Sequence, residues 1–73
     1  MEEKNLLNGE QGQTYIVKKI NTDDEEMKSF LLRLGCYEGE PITIASKMKR
    51  QCVVVIKNSR YSIDNLLAEV III

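Results

Sequence analysis

The sequence predicts a mostly β fold, a small five-stranded barrel with one α-helix inserted after the first strand and a short helical turn before the last strand. Three observations lead to this prediction. Five short segments are rich in β-branched residues and have short connections, which favours an antiparallel sheet that curls on itself. One segment carries apolar residues at helical spacing. The final four residues, 70–73, are all apolar and would aggregate unless another strand covered them.

The first strand and the helix are predicted in the first half of the chain. Residues 14–20 are rich in Thr, Tyr, Ile and Val and therefore predict a strand. Thr22 is predicted to cap the following helix, with Glu25 reaching back to complete a capping box. Gly35 is predicted just past the end of the helix, where glycine readily adopts a left-handed conformation. The predicted core stripe of this helix comprises Met27, Phe30, Leu31 and Leu34.

The second half of the chain predicts the remaining strands. They begin at Pro41 and continue over residues 52–57, 60–63 and 70–73. The strand at 52–57 is apolar at nearly every position, so we expect it to be buried on both faces near its middle.

Two connections in this half have clear sequence signals. Asn58 and Ser59 predict a tight hairpin turn, and Asp64 predicts the cap of a single helical turn. We expect residues 70–73 to pair with the first strand and close the barrel.

Length and composition limit the classes of function. Seventy-three residues predict a single domain over residues 1–73, with residues 1–5 as a loose N-terminus. The formal net charge of −1 argues against nucleic acid as a partner, because phosphate contacts need clustered Lys and Arg. No signal peptide and no membrane-spanning segment is visible, so we expect a cytoplasmic protein without direct membrane insertion.

The residues that most enzymes and metal sites require are scarce. The chain has no histidine, and the carboxylate pairs at residues 23–26 are explained by helix capping, so no catalytic residue and no cofactor is predicted. Cys36 and Cys52 lie sixteen positions apart without a CxxC motif and are expected to be reduced core residues. They remain weak candidates for binding a transition metal.

The order of these segments resembles the ferrous iron transport protein A (FeoA) family from about Leu6 to Ile73. Gly12 matches the glycine before the family's first strand, and Ala68 matches the small residue in its last helical turn. The family's Leu-Leu-x-Leu-Gly-x-x-x-Gly pattern is matched by Leu31, Leu32, Leu34, Gly35 and Gly39. Where many members carry a Pro-Gly-Asp-Pro-like loop, this chain has Lys47-Met48-Lys49-Arg50.

This resemblance implies a Src-homology-3-like barrel and a non-enzymatic accessory role in bacterial ferrous iron uptake. The implied partner is the membrane ferrous iron transporter, through its cytosolic GTP-binding domain, which would recruit the protein to the inner face of the membrane. Similar barrels form the C-terminal domains of metal-dependent transcriptional repressors, so a regulatory barrel is the alternative. We expect a monomer or a weak homo-oligomer.

Partner binding is the remaining use for exposed apolar, aromatic and basic residues. Tyrosine, methionine and arginine are favoured at protein interfaces, and a basic loop can attract an acidic partner. The alternative role of Tyr37 and Tyr61 is to cover the ends of the barrel. The candidate partner-binding residues are Leu32, Tyr37, Lys47, Met48, Lys49, Arg50 and Tyr61.

Overall fold

The computed structural model describes residues 3–73, so residues 1 and 2 of the predicted loose N-terminus lie outside the described residues. The mostly β class is confirmed. In chain order the elements are a 3₁₀ turn (Leu6–Asn8), β1 (Thr14–Ile16), β2 (Lys19–Ile20), α1 (Glu25–Arg33), β3 (Pro41–Lys47), β4 (Gln51–Ile56), β5 (Ser59–Asp64), α2 (Asn65–Val70) and β6 (Ile71–Ile72).

Two antiparallel sheets enclose the core. One has the strand order β1-β3-β4-β5, and the other pairs β2 with β6. The predicted pairing between the end of the chain and the first strand segment is confirmed, because Lys19 is opposite Ile72 and Ile20 is opposite Ile71.

The described residues contain six strands, where the sequence predicted five. The predicted strand over residues 14–20 is divided because its two halves pair with different partners. Tyr15 pairs with Ile42 of β3, whereas the Lys18 N–H donates to the Ile72 carbonyl of β6 at 2.7 Å. A chain that crosses from one sheet to the other must bend between them, and here the bend lies at residues 17–18.

The cap of α1 differs from the predicted one. Asp24 is the N-cap, and its Oδ1 accepts from the N–H groups of Glu26 and Met27 at 3.0 and 3.1 Å. The Thr22 hydroxyl instead accepts from the Asp24 N–H at 3.1 Å. Glu25 is the first residue of α1 and not the third, so it cannot complete the predicted capping box.

The hairpin between β4 and β5 turns one residue earlier than predicted. Ile56 pairs with Ser59, so the two turn residues are Lys57 and Asn58. Both have positive φ, 51° and 67°, as a type I′ turn requires. The prediction that β4 is buried on both faces near its middle is wrong. Its buried side chains alternate with half-buried ones, because only one face of the sheet meets the core.

The hydrophobic core lies between the two sheets, below α1 and α2. Of the predicted helical stripe only Leu31 is fully buried, whereas Phe30 stays 43% exposed. α1 therefore enters the core through Leu31 and leaves Phe30 exposed. The core cluster comprises Leu6, Val17, Leu31, Cys36, Ile42, Ile44, Cys52, Val54, Ile56, Ile63, Ala68, Ile71 and Ile73.

Residues 3–5 differ from the expected loose end. The Lys4 carbonyl accepts from the Ile73 N–H at 2.8 Å, and Asn5 forms an isolated bridge with Ile72. Glu3 adds an exposed ion pair with Lys19 at 2.8 Å. Backbone pairing with the end of the chain orders this segment.

Candidate functional site

An open groove of about 380 Å³ runs beside the C-terminal half of α1. Four residues line it: Ser29, Leu32, Arg33 and Tyr37. The first three recur at i, i+3 and i+4 and therefore share one face of the helix. The groove thus brings together two of the predicted partner-binding residues, Leu32 and Tyr37.

The end of α1 positions Tyr37. Gly35 has a φ of +96°, and its N–H donates to the Leu32 carbonyl at 3.0 Å. The Cys36 N–H donates to the Leu31 carbonyl at 3.0 Å, which completes a Schellman motif. The reversed chain places Cys36 in the core and leaves the Tyr37 side chain 48% exposed at the groove.

The Lys57 side chain lies next to this turn, close to Gly35 and Tyr37. Its Nζ lies 5.8 Å from the centroid of the Tyr37 ring and 3.0 Å from Glu40 Oε1. The φ of +96° favours glycine at position 35, and a Cβ added there would lie 3.2 Å from the Lys57 side chain. Behind the groove, the Tyr37 ring therefore lies beside a paired cation and carboxylate.

The basic candidates lie at the other end of β4. Lys49 and Arg50 belong to the loop between β3 and β4, whereas Lys57 follows the last residue of β4. Gln51 and Ile56 are five positions apart along the strand, about 17 Å at 3.3 Å per residue. The structure therefore does not bring the basic loop and the groove into one compact surface.

Residues of the basic loop region are also bonded within the chain. The Lys47 ammonium donates to the carbonyls of Leu7 and Gly9 at 3.0 and 2.9 Å. The Arg50 carbonyl accepts from the Asn65 N–H at 3.0 Å, which fastens the loop to the start of α2. Met48 is 48% exposed in this loop.

Tyr61 lies between these two regions. It is half-buried in β5, opposite Val54, and packs against the core cluster. Tyr61 therefore contributes to the face of the sheet that covers the core.

The two cysteines lie apart. Gly35 approaches Ile56 at the end of β4, so Cys36 lies near that end, whereas Cys52 lies near the start of the strand. Burial raises the pKa of Cys36 to about 11 and also raises the pKa of Cys52, where the positive charge of Lys47 opposes the effect. Over residues 3–73, no three acidic, cysteine or histidine side chains converge as metal ligands.

Sequence reasoning missed three residues of the groove region. Ser29 and Arg33 could have been found from their helical spacing to Leu32, since the three share a face. Lys57 had no such signal, because its contact with Tyr37 depends on how the turn after α1 packs against the hairpin.

No helix in the described part of the chain is long and apolar enough to cross a membrane.

Comparison with known proteins gives a family match and several fold matches. A sequence model of the FeoA domain matches residues 4–73. A search of curated proteins gives no significant match. The chain is similar to a crystal structure described as an iron uptake regulatory protein (FeoA), with a TM-score of 0.86 and 18% identity over 97% of this chain and 95% of that one.

The fold also matches domains of larger regulators. A manganese-dependent transcriptional repressor is similar with a TM-score of 0.85 and 17% identity, over 96% of this chain and 40% of the repressor. The crystal structure of ScaR with bound Cd²⁺ is similar with a TM-score of 0.83 and 16% identity, over 97% of this chain and 34% of that protein. The chain spans less than half of either regulator, and at these identities the likeness shows the fold alone.

Proposed function

The chain belongs to the FeoA domain family, and on that premise we propose that it is a small accessory protein of bacterial ferrous iron uptake. It acts as a non-enzymatic interaction module on the cytosolic GTP-binding domain of the membrane iron transporter. The family match over residues 4–73 supports the connection with iron uptake. The protein works in the cytoplasm and is recruited to the inner face of the membrane by its partner.

The observation that carries this proposal is the groove beside α1. Leu32 and Tyr37 supply apolar and aromatic contact area, and Arg33 adds a cation at the same wall. Phe30, 43% exposed on a neighbouring face of the helix, extends the apolar area. Aromatic residues and arginine provide much of the binding energy at protein interfaces.

The chemistry of the chain supports binding without catalysis. There is no histidine to transfer protons near neutral pH. Cys36 and Cys52 are buried, and burial raises both pKa values, so neither thiol is activated as a nucleophile.

A titration tests the groove. The purified protein is added to the GTP-binding domain of the transporter, by calorimetry, with GDP and with a non-hydrolysable GTP analogue. Tyr37→Ala should weaken binding at least tenfold, about 1.4 kcal/mol. Met48→Ala is the matched control, because Met48 is equally exposed but lies in the basic loop, and we expect less than a twofold change.

Two outcomes would contradict the proposal. If Met48→Ala weakens binding and Tyr37→Ala does not, the basic loop is the binding surface and the groove is not. If the unmodified protein does not bind at high micromolar concentration in any nucleotide state, the transporter domain is not its partner.

The repressor matches support a second candidate, a regulatory barrel that binds a segment of a DNA-binding partner. Retention of such a regulator on the immobilised protein, with no retention of the GTP-binding domain, would favour this function over the first.

A further inference from the structure

β5 is a free edge of the larger sheet. It pairs with β4 on one side, and it ends the strand order β1-β3-β4-β5. It is six residues long and pairs without a register shift from Ser59 to Asp64. An exposed edge of this length presents a row of main-chain donors and acceptors to another strand.

The hairpin register decides which main-chain groups face outward. Ile56 and Ser59 flank a two-residue turn, and such flanking residues exchange both hydrogen bonds. Alternation along the strand then directs the main-chain N–H and C=O groups of Ser59, Tyr61 and Ile63 toward β4. The groups that point away from β4 belong to Arg60, Ser62 and Asp64, and all three side chains are exposed.

This edge carries few of the devices that usually block strand pairing, and its charged residues are Arg60 and Asp64. β5 contains no proline, no glycine, no lysine and no bulge. The opposite edge of the same sheet, β1, has only three residues, and β2 and β6 have two each. Of the strands in the described residues, β5 is therefore the one best suited to accept another strand.

We propose that β5 pairs antiparallel with β5 of a second copy of this chain, about a two-fold axis at Ser62. In this register Arg60 of each copy lies opposite Asp64 of the other, and opposite charges directly across a strand pair are stabilising. An axis at residue 60 would oppose two arginines, and an axis at residue 64 would oppose two carboxylates. The axis at Ser62 is the register in which all three outward residues pair and both charges are matched.

The dimer is weak and reversible. Asp64 also caps α2 and its carbonyl begins that helix, so the outward carbonyls come from Arg60 and Ser62. A contact made mainly by one strand and two exposed ion pairs is smaller than the roughly 1,200 Å² of a stable interface. The inference goes beyond the proposed function, and it leaves the groove beside α1 at a separate place on the molecule.

The first test follows the protein alone over concentration. Sedimentation velocity from about 10 μM to 1 mM should show a monomer becoming a dimer, and the amides of Ser62 and Asp64 should become protected from hydrogen exchange as concentration rises. A monomer at 1 mM overturns the proposal. So does a dimer in which the Ser62 amide exchanges as fast as in the monomer.

Charge reversal tests the register. Arg60→Glu should raise the dimer dissociation constant at least tenfold, because it places two acidic residues opposite each other at both ends. Lys28→Glu makes the same charge change on α1, away from the edge, and should alter the constant less than twofold. Equal effects of the two variants overturn the register.

A mixing experiment gives an independent readout. Arg60→Glu and Asp64→Lys should each be monomeric alone and should form a mixed dimer when combined, because every facing pair is then oppositely charged. Asp64→Lys removes the acceptor of the Leu67 N–H, so circular dichroism must first show that it is folded. If both variants fold and no mixed dimer forms, the proposal fails. Protection of Ser62 that needs the GTP-binding domain and not a second copy also overturns it.

Discussion

Single residues with long-range contacts stabilise a fold that has little stability to spare. Lys47 is an example, because its ammonium bonds two main-chain carbonyls that lie 40 and 38 positions earlier. The sequence placed Lys47 in a basic loop for partner binding, whereas its contacts fasten the 3₁₀ turn to the end of β3. Its structural role can therefore be measured without a partner.

Replacing Lys47 should lower stability. We expect Lys47→Met to reduce the free energy of unfolding by about 1 kcal/mol, since the Leu7 and Gly9 carbonyls lose a charged donor but remain partly accessible to water. Urea denaturation measures the change. Lys49→Met is the control, with an expected change within about 0.5 kcal/mol. Equal losses in the two variants would show that the Lys47 contacts contribute nothing.

Cys36 predicts a pH dependence of stability. Burial raises the pKa of its thiol from 9.0 to about 11, so between these values the unfolded chain loses a proton that the folded chain keeps. The contribution to stability is therefore fully present below about pH 9 and is lost as pH rises toward 11. Urea denaturation at several pH values should show this fall. Cys36→Ala should have a flatter profile over the same range, and identical profiles would exclude the thiol as the cause.

At the scale of elements, the ends of helices and strands depend on local chemistry that the sequence indicates only in part. Asp64 was correctly predicted to cap the last helical turn, and its carboxylate accepts from the Leu67 N–H at 3.0 Å. The cap of α1 lies two residues beyond the predicted one because Asp24 was available nearer to the apolar residues. The hairpin turn moved by one residue because the pairing of β4 with β5 decides which two residues remain unpaired.

The position of the hairpin turn can be tested by substitution. Asn58 has a φ of 67°, where a β-branched residue is strained, so Asn58→Val should lower the free energy of unfolding by about 1–2 kcal/mol. Ser59 lies in the extended strand β5, so Ser59→Val should change it by less than about 0.5 kcal/mol. Thermal and urea denaturation compare the two variants. A larger loss at Ser59 would restore the turn predicted from the sequence.

At the scale of the whole molecule, pairing between the two ends of the chain holds the sheets together. β6 pairs with β2, Asn5 bridges Ile72, and the Ile73 N–H donates to the Lys4 carbonyl. Ile71 is fully buried at this junction. A domain of this size has a net stability of roughly 3–5 kcal/mol, so losing this packing affects the entire fold.

Two isoleucine substitutions compare the junction with the surface. Ile71→Ala should cost about 2–5 kcal/mol, because it leaves a cavity in the core, and should leave the protein largely unfolded at 37 °C. Ile16→Ala makes the same chemical change at a side chain that is 52% exposed and should cost less than about 1 kcal/mol. Circular dichroism with urea titration measures both. Similar costs would mean that the chain ends do not close the fold.

The sequence by itself determined the mostly β class, one capped helix with Gly35 just past its end, and the meeting of residues 70–73 with the first strand segment. These features follow from local patterns of apolar residues, caps and glycines, and from the need to cover a four-residue apolar end. It also indicated Leu32 and Tyr37 as surface residues, because one lies off the helical stripe and the other follows the helix.

Only the tertiary structure decided how these residues are grouped. At the groove beside α1, Tyr37 follows a turn at Gly35 that lies against Lys57 of the hairpin, a contact between residues far apart in the sequence. The division of the first strand, the separation of the basic loop from the groove and the free edge of β5 likewise depend on which strands become neighbours. Strand neighbours are chosen by long-range packing, which no local pattern of residues specifies.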